Sequence, residues 1–303
     1  MKQAIKHEVR VCEYGITKWK DRKLNRTKMS KMRIGNKEFD LTGKTYIMGI
    51  LNVTPDSFSD GGNFHQAEEA LVHAGKMIEE GVHIIDIGGE STRPGYVQIS
   101  DEEEIARIVP VIRAIKEKYD ISISVDTYKA NVARAALEAG ADMINDIWGL
   151  KYDAKMADVI KEYDVPVCIM HNRNKKEYDC FFEDMKADLQ ESIEIAKKAG
   201  IAEDKLILDP GVGFAKTYEM NLECINRLEE LHSFGYPLLL GTSRKSVIGL
   251  TLDLPVTERE EGTLATTVLA VMKGCQFVRV HNVKSNKRAI QMTQAVLNIS
   301  KKS

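Results

Sequence analysis

The sequence predicts a closed (β/α)8 barrel of the TIM type, with a short N-terminal hairpin and a basic N-terminal extension. Three observations support this fold. Eight short apolar segments alternate with longer amphipathic segments over about 260 residues, a glycine follows several amphipathic segments, and the apolar segments end in polar residues. A doubly wound open sheet is the alternative, but such sheets usually contain fewer strands.

Length and composition are those of an ordinary globular protein. The chain has 303 residues, of which 43% are hydrophobic and 29% are charged, and its formal net charge is -2. The charge is uneven, because residues 1–38 carry 12 Lys and Arg against 4 Asp and Glu. We expect residues 1–31 to form a poorly ordered or laterally packed basic extension, and residues 32–303 to form one barrel domain. Contact of the extension with nucleic acid or an anionic surface is the alternative.

Cysteine spacing and apolar runs bear on the compartment. The five cysteines, at positions 12, 168, 180, 224 and 275, form no CxxC pair, so neither a zinc ribbon nor a disulfide framework is predicted. Reduced thiols fit a cytoplasmic protein. No run of about 18 apolar residues predicts a membrane span, and the first residues lack the apolar core of a secretory signal. We therefore expect a cytoplasmic protein with neither a membrane nor a nucleic-acid partner.

The predicted elements begin with the hairpin. In the segment MRIGNKEFDL, alternating apolar and polar residues flank the turn dipeptide Gly35-Asn36. The eight predicted strands are short and rich in β-branched or aliphatic residues, and they cover 46–51, 83–87, 122–125, 142–144, 166–170, 206–208, 238–240 and 277–280. The segments between them are amphipathic, as in DEEEIARIVPVIRAIKEKY, and several end at glycines typical of helix C-caps, namely Gly81, Gly140 and Gly200.

Polar residues stand where the predicted strands end. They are Asn52, Asp86, Asp126, Asn145, Asp146, His171, Asp209, Arg279 and His281. In a parallel barrel all strand ends meet at the carboxyl-terminal rim, where active sites form. A single residue of this kind, such as Asp146, is more often a helix N-cap, and the alternative for Arg279 is a salt bridge with a barrel carboxylate. A whole ring is costly for a fold that needs only stability, since an unpaired buried polar group costs about 1–3 kcal/mol.

Charge divides this rim into two sides. Arg279 and His281 are two residues apart on one strand and so point to the same side, and the preceding loop, SRKS, adds two more cations. Barrels often hold a phosphate at this corner. Asp126, Asn145 and Asp209 supply acceptors and an amide on the other side, which suits a flat nitrogen heterocycle with N–H donors. The rim therefore predicts a ligand with an anionic tail and a donor-rich planar head.

Five segments of the chain resemble the dihydropteroate synthase family. They are MGILNVTPDSFSDGG, DIGGESTRPG, LDPGVGF, LLLGTSRKSVIG and RVHNV, and they occur in the family order between residues 48 and 282. The resemblance spans roughly residues 32–298. It implies a (β/α)8 barrel, normally a homodimer, that condenses 6-hydroxymethyl-7,8-dihydropterin pyrophosphate with p-aminobenzoate. The implied products are 7,8-dihydropteroate and pyrophosphate, Mg²⁺ is the implied cofactor, and sulfonamides act on this family as mimics of p-aminobenzoate.

The resemblance also assigns roles to individual residues. The pterin pocket is assigned Asp126, Asn145, Asp209 and Lys245, with the secondary residues Asp86 and Met170. The pyrophosphate and the metal are assigned Arg279, His281, Asn52 and Asp60. The p-aminobenzoate subsite is assigned Thr92, Arg93, Pro94, Phe214 and Ser246. Three positions depart from the family pattern, namely His83, Ala215 and Asn282, of which Ala215 stands beside Phe214 where Gly is common.

The implied reaction needs no enzyme nucleophile, and the sequence carries neither a Ser-His-Asp signature nor an HExxH motif. Departure of pyrophosphate leaves a cation on the pterin methylene, which the amine then attacks. The expected catalytic residues stabilise these separated charges, and they are Asp126, Asp209, Lys245, Arg279, His281 and Asp60. The loops TPDSFSDGG and GESTRPGYVQ are predicted to be mobile lids that keep water from the cation, with hinges at Gly61, Gly62 and Gly95.

Three other functions fit parts of the sequence. A Schiff-base aldolase would use Lys245 as its nucleophile. A barrel that passes a methyl group from methyltetrahydrofolate to a corrinoid protein is expected to lack the paired TRPG and SRKS elements. A pterin-binding protein without catalytic activity would have no need for the combination of Asn52, Lys245, Arg279 and His281.

Overall fold

The computed structural model describes residues 27–54, 62–91 and 97–299. It begins with the predicted hairpin, in which β1 (Lys31–Ile34) pairs antiparallel with β2 (Lys37–Asp40). Gly35 occupies the first turn position with φ 60, a conformation that glycine adopts without steric cost. The sequence prediction of this hairpin is confirmed.

Eight parallel strands form the barrel. They are β3 (Tyr46–Asn52), β4 (Ile84–Gly88), β5 (Ser122–Asp126), β6 (Met143–Asp146), β7 (Val167–Met170), β8 (Leu206–Asp209), β9 (Leu239–Leu240) and β10 (Phe277–Val280). Their order around the sheet is β8-β7-β6-β5-β4-β3-β10-β9. A parallel bridge between Leu208 and Leu238 joins the two edges and closes the ring. The predicted (β/α)8 barrel is therefore confirmed, and the doubly wound alternative is wrong.

Helices connect the strands on the outside. They are α1 (Gly62–Glu80), α2 (Asp101–Lys118), α3 (Ala130–Glu138), α4 (Met156–Tyr163), α5 (Phe181–Lys198), α6 (Tyr218–Asn226), α7 (Ser246–Leu252), α8 (Glu260–Met272) and α9 (Val283–Asn298). Short 3-10 helices cover Glu203–Lys205, Leu228–Phe234 and Val256–Glu258. The three glycines predicted as C-caps have positive φ just beyond α1, α3 and α5, so that prediction is also confirmed. No helix in the described ranges is long and apolar enough to cross a membrane.

The alternation of side chains along each strand creates two apolar layers. One set of residues, such as Ile85 and Ile123, points outward and packs under the helices. The other set points inward at the amino-terminal end, where Phe277 joins the hairpin residues Ile34 and Phe39 in one cluster. The Phe39 and Phe277 ring centroids lie 5.9 Å apart. The hairpin thus closes the amino-terminal end, and the carboxyl-terminal end is left for a site.

Several strands run one or two residues further than their apolar patterns predict. Asn52, Asp126 and Asp209 are the last residues of β3, β5 and β8, and Asn145 and Asp146 lie inside β6. These polar residues still pair with neighbouring strands, as Asp126 does with Asn145. Strands predicted from apolar residues end too early here, because the inward-facing residues at the carboxyl-terminal end of the barrel are polar.

Candidate active site

A polar layer lies inside the barrel, on the carboxyl-terminal side of the inward-facing apolar cluster. Five strands contribute to it: Asp86 from β4, Asp126 from β5, Asn145 from β6, Asp209 from β8 and Arg279 from β10. The four acceptor residues are all buried, with at most 7% of the residue exposed. Hydrogen bonds connect Asp86, Asp126, Asn145 and Arg279 directly, so the structure brings these four predicted strand-end residues together.

Arg279 joins the two sides that the sequence separates. Its Nε donates to Asp86 Oδ2 at 2.6 Å and its Nη2 donates to Asp126 Oδ2 at 2.7 Å. Asn145 Nδ2 donates to the same Asp86 oxygen at 3.3 Å. Burial lowers the pKa of Arg279, but Asp86 and Asp126 outweigh burial, so the net pKa is raised and the guanidinium stays charged. The barrel-carboxylate salt bridge considered as an alternative is thus present, within the polar layer itself.

Three oxygen atoms in this layer have no hydrogen-bond partner among the described residues. Asp86 Oδ1, Asp126 Oδ1 and Ser124 Oγ are buried and accept or donate no hydrogen bond within the described part of the chain. Burial, opposed by Arg279 and reinforced by Asp86, raises the pKa of Asp126 to about 7. An unsatisfied buried polar atom costs about 1–3 kcal/mol, and a ligand with N–H donors would remove that cost.

Lys245 lies on the opposite side of the layer. Its Nζ donates to the Val212 carbonyl at 2.5 Å and sits 4.8 Å from the centroid of the Phe214 ring. Burial lowers the pKa of Lys245 to about 8, against the opposing effect of Asp209. Burial also raises the pKa of Asp209, and Lys245 offsets part of that rise. A Cβ built on Gly241 would lie 3.8 Å from both Asp209 Oδ2 and Lys245 Nζ, so this glycine leaves room between the pair.

His281 and Ser246 lie at the corner between β9 and β10. The ring Nδ1 of His281 lies 2.9 Å from Ser243 Oγ, and the His281 backbone N–H donates to the same oxygen at 3.2 Å. Ser246 is exposed and is the first residue of α7, directly after Lys245. The SRKS segment after β9 therefore contacts the end of β10 through Ser243 and His281.

Asn52 stands at the end of β3, on the other side of Arg279's strand. A Cβ built on Gly88 would lie 3.6 Å from Asn52 Oδ1 and 3.7 Å from Asp126 Cβ. The described residues contain no group of three or more His, Cys, Asp or Glu that could hold a metal ion. Four predicted site residues lie outside the described ranges: Asp60, Thr92, Arg93 and Pro94. The predicted hinges Gly61 and Gly95 also lie there, and Gly62 is placed as the first residue of α1.

Apolar side chains form a wall beside the polar layer. Tyr128, Ile147 and Met170 make a small buried cluster, and Trp148 and Phe214 pack against it. Asp146, the possible N-cap, instead accepts hydrogen bonds from the Trp148 and Leu150 backbones at 2.8 and 2.7 Å and so shapes a turn. A flat ring bound here would pack one face on this apolar wall and direct its edges toward the polar layer.

Two buried lysines, Lys129 and Lys216, form hydrogen-bonded clusters that the sequence does not indicate. Lys129 donates to Glu90 at 2.7 Å and to Glu104 at 2.8 Å beneath the loop that follows β4. Lys216 and His171 are paired beneath the loop that follows β8, with 2.7 Å between Lys216 Nζ and His171 Nδ1. In the sequence, the only sign of these clusters is a lysine close to a rim motif. Exposed lysines occur in the same positions, so this sign does not distinguish a buried lysine.

The fold and the polar layer together define a (β/α)8 barrel whose carboxyl-terminal rim carries a candidate site for a polar, planar small molecule. The profile of the pterin binding enzymes matches residues 48–281. The chain is also 60% identical over 267 residues to the dihydropteroate synthase of Clostridium beijerinckii, covering 88% of this chain and 99% of that relative. The chain belongs to the pterin binding enzyme family.

Solved structures agree with this assignment. A dihydropteroate synthase from Clostridium difficile, determined in the presence of pteroic acid, has a TM-score of 0.82 and 53% identity, covering 84% of this chain and 97% of that one. The Xanthomonas albilineans dihydropteroate synthase with 4-aminobenzoic acid has a TM-score of 0.85 and 39% identity, covering 89% and 99%. The family resemblance read from the sequence motifs is confirmed.

Proposed function

We propose that this protein is a dihydropteroate synthase, which condenses 6-hydroxymethyl-7,8-dihydropterin pyrophosphate with p-aminobenzoate. The observation that carries the proposal is the set of unpartnered buried oxygens on Asp86 and Asp126, beside the amide of Asn145. These acceptors match the N–H donors of a pterin edge. The relatives that are named dihydropteroate synthase, one of them 60% identical, support this activity over an aldolase or a corrinoid-dependent methyltransferase.

The polar layer would hold the pterin from two edges. Asp126, Asn145 and Asp209 would accept and donate hydrogen bonds along the ring, while Asp86 would keep Asn145 and Arg279 oriented. Met170 belongs to the apolar cluster that would face the ring. Lys245, whose ammonium lies between the Phe214 ring and the Val212 carbonyl, would contact the pterin from the side of Asp209.

The chemistry would proceed without a protein nucleophile. The bond between the pterin methylene carbon and the pyrophosphate oxygen breaks first, and both electrons leave with pyrophosphate. Arg279, His281 and Lys245 stabilise the departing anion, and the carboxylates Asp126 and Asp209 stabilise the cation that remains. The amine lone pair of p-aminobenzoate then forms the C–N bond, and the nitrogen releases a proton to solvent. Preorganised charge replaces a covalent intermediate.

Asn52 and Asp60 are the residues we assign to Mg²⁺. The Asn52 side-chain oxygen, near Gly88 and Asp126, is a hard donor of the type that Mg²⁺ accepts. When bound, the ion would neutralise charge on the pyrophosphate oxygens. We expect Asp60→Ala to impair turnover far more than pterin pyrophosphate binding measured without Mg²⁺. Equal damage to both measurements would remove the metal assignment.

The p-aminobenzoate subsite would lie on the side of Phe214 and Ser246. The loop after β4 would contribute Thr92, Arg93 and Pro94. Phe214 offers an aromatic face and Ser246 an exposed hydroxyl at the start of α7. Sulfonamides that imitate p-aminobenzoate are expected to compete there. Sulfonamides that compete with pterin pyrophosphate and not with p-aminobenzoate would contradict this assignment of the subsite.

The assembly and compartment are further parts of the proposal. Exposed large apolar side chains concentrate toward the carboxyl-terminal end: Leu250, Leu252, Val256, Leu269, Met292, Val296, Leu297 and Ile299. Helix α8 packs against both α7 and α9, so these side chains lie on adjoining elements, which supports a homodimer. None of the four described cysteines forms a disulfide, as expected in the cytoplasm. Light scattering after size exclusion at micromolar concentration tests the dimer, and a monomeric mass would exclude it. Residues 1–31 are proposed to be an extension outside the barrel domain.

The decisive experiment is pyrophosphate release measured with both substrates and Mg²⁺. Release that requires p-aminobenzoate supports the synthase, and release without it indicates a hydrolase. Asp209→Asn in the same assay should lose turnover, because the ring would lose an anionic partner. Val132→Ala, a change at a buried residue of α3 that packs in the outer apolar layer, is the matched control for loss of stability. Borohydride trapping with a carbonyl substrate should leave Lys245 unmodified, and a covalent adduct would favour the aldolase.

A further inference from the structure

Lys216 is a buried lysine whose hydrogen-bond partners are all neutral. It is 4% exposed, and its Nζ lies 2.7 Å from His171 Nδ1. The same ammonium donates to the Gly211 carbonyl at 3.0 Å and to the Phe214 carbonyl at 3.1 Å. Three N–H bonds therefore meet three acceptors, so no donor remains for a substrate. The role of Lys216 must be exerted through the groups that it holds.

His171 is fixed in the tautomer that accepts from Lys216. Burial lowers the pKa of His171 to about 4, so the ring is neutral. Its Nε2 lies 2.9 Å from Asp188 Oδ2, and a carboxylate oxygen can only accept, so Nε2 carries the hydrogen and Nδ1 is the acceptor. Arg173 holds the second Asp188 oxygen at 3.1 Å from its Nη2. Asp188 thus orients His171, and His171 orients the ammonium of Lys216.

The ammonium closes a turn in the loop between β8 and α6. The Phe214 N–H donates to the Gly211 carbonyl at 3.1 Å, and Lys216 draws the carbonyls of both residues to one point. Ala215 has φ 44, a left-handed conformation that costs an L-residue about 1–2 kcal/mol. Its carbonyl is held by the Tyr178 hydroxyl at 2.9 Å. A strained turn of this kind persists only where side chains outside it hold it in place.

Phe214 depends on this turn more than Asp209 does. Asp209 is part of β8, and its carbonyl accepts from the His171 N–H at 2.9 Å, so the strand holds its backbone, while its Oδ1 accepts from the Gly211 N–H at 2.7 Å. Phe214 lies five positions further along, and its ring is placed over the Lys245 ammonium at 4.8 Å. Loosening the turn would move the aromatic face first and the pterin side of the site less.

We propose that Lys216 is a positioning residue that fixes Phe214 for the p-aminobenzoate subsite, oriented in turn by His171 and Asp188. The substrate named here rests on the proposed function. The control of the loop by Lys216 does not, because it rests only on contacts within the protein.

Steady-state kinetics of Lys216→Met test the substrate part. Met keeps the length and apolar stem of Lys but donates no hydrogen bond. We expect the KM for p-aminobenzoate to rise by about tenfold to a hundredfold, and the KM for pterin pyrophosphate to change by about twofold or less. His171→Asn, which keeps an acceptor near the Nδ1 position, should show a smaller rise in the same KM. An equal rise in both KM values, or the same shift in the control Val132→Ala, overturns the proposal.

Hydrogen exchange tests the loop without using activity. In Lys216→Met, the amides of residues 211–217 should exchange faster than in the wild-type protein, while the amides of β8 keep their rates. In the Val132→Ala control, the amides of residues 211–217 should keep their wild-type rates. Unchanged exchange in this loop overturns the role of Lys216 whatever the activity. A wild-type protein without p-aminobenzoate-dependent turnover overturns the proposed function and the substrate named here, yet faster loop exchange in Lys216→Met would still support its control of Phe214.

Discussion

Replacing Arg279 by Met should destabilise the ligand-free protein, and the loss should grow with pH. Arg279 is the cation bonded to two buried carboxylates, at 2.6 Å from Asp86 and 2.7 Å from Asp126. Removing one member of a buried ion pair typically costs about 3–5 kcal/mol, because the remaining charge is left unpaired. We expect a decrease of that size in the free energy of unfolding near neutral pH.

The pH dependence follows from the sign of the Asp126 shift. Its pKa in the folded protein is about 7, above the ordinary value of 3.8. A raised pKa contributes stability that is complete below the unfolded value and is lost as the pH rises through the folded value. Arg279 opposes this rise, so its removal raises the Asp126 pKa further. The variant should then keep losing stability above about pH 7, by up to about 1.4 kcal/mol per pH unit, where the contribution of Asp126 in the wild type has levelled off.

Urea unfolding followed by circular dichroism at about pH 6.5 and about pH 8.5 measures this difference. The four proteins needed are the wild type, Arg279→Met, Asp126→Asn and the double variant, which together form a double-mutant cycle. In the Asp126→Asn background the deficit from Arg279→Met should no longer depend on pH. A deficit in the single variant that is the same at both pH values refutes the reasoning, since Asp126 would then not be the titrating partner.

Three further outcomes are expected. The kcat/KM for pterin pyrophosphate should rise as the pH passes about 7, where Asp126 ionises, and fall past about 8, where Lys245 loses its proton; Lys245→Arg should remove the alkaline fall from the pH–rate profile, and a persistent fall contradicts the assignment. Lys129→Met should lower the free energy of unfolding by about 3–5 kcal/mol, because Glu90 and Glu104 stay buried without their cation; Lys116→Met, at a more exposed pair, should cost about 1 kcal/mol or less, and equal losses would argue against burial as the cause. Ala215→Gly should stabilise the protein by up to about 1 kcal/mol, since relief of the left-handed strain exceeds the entropic cost of glycine; thermal melting checks this against Ala199→Gly, at φ -73, which should only destabilise.

The strands of the barrel were readable because their apolar residues are consecutive, as expected where both faces of a strand are buried. The hairpin was readable because Gly35-Asn36 separates two alternating segments. The ends of the strands could not be predicted, because the apolar pattern stops at Asp126 and Asp209 while the hydrogen-bonded ladder includes both residues. In the sequence, polar residues that face the inside of the barrel have the same pattern as a loop.

The rim residues could be gathered from sequence because a parallel barrel brings all its strand ends to one side. Their partners could not. Arg279 and Asp86 are 193 positions apart and Arg279 and Asp126 are 153 apart, so their bonds depend on ring closure between β10 and its neighbours. The sequence also does not indicate the roles of Lys216 and Lys129. A lysine in a loop is usually exposed, and only the packed structure shows that these two are buried.

The order of residues by itself determined the barrel, the hairpin and the side on which the polar rim forms, because periodicity and turn chemistry are local properties. The motifs also carried the family. Tertiary structure alone decided which charges pair, which oxygens are left without partners and which loop is held by Lys216. Those outcomes depend on burial and distance between segments far apart in the chain, and burial is what gives a charge or an unsatisfied oxygen its energetic weight.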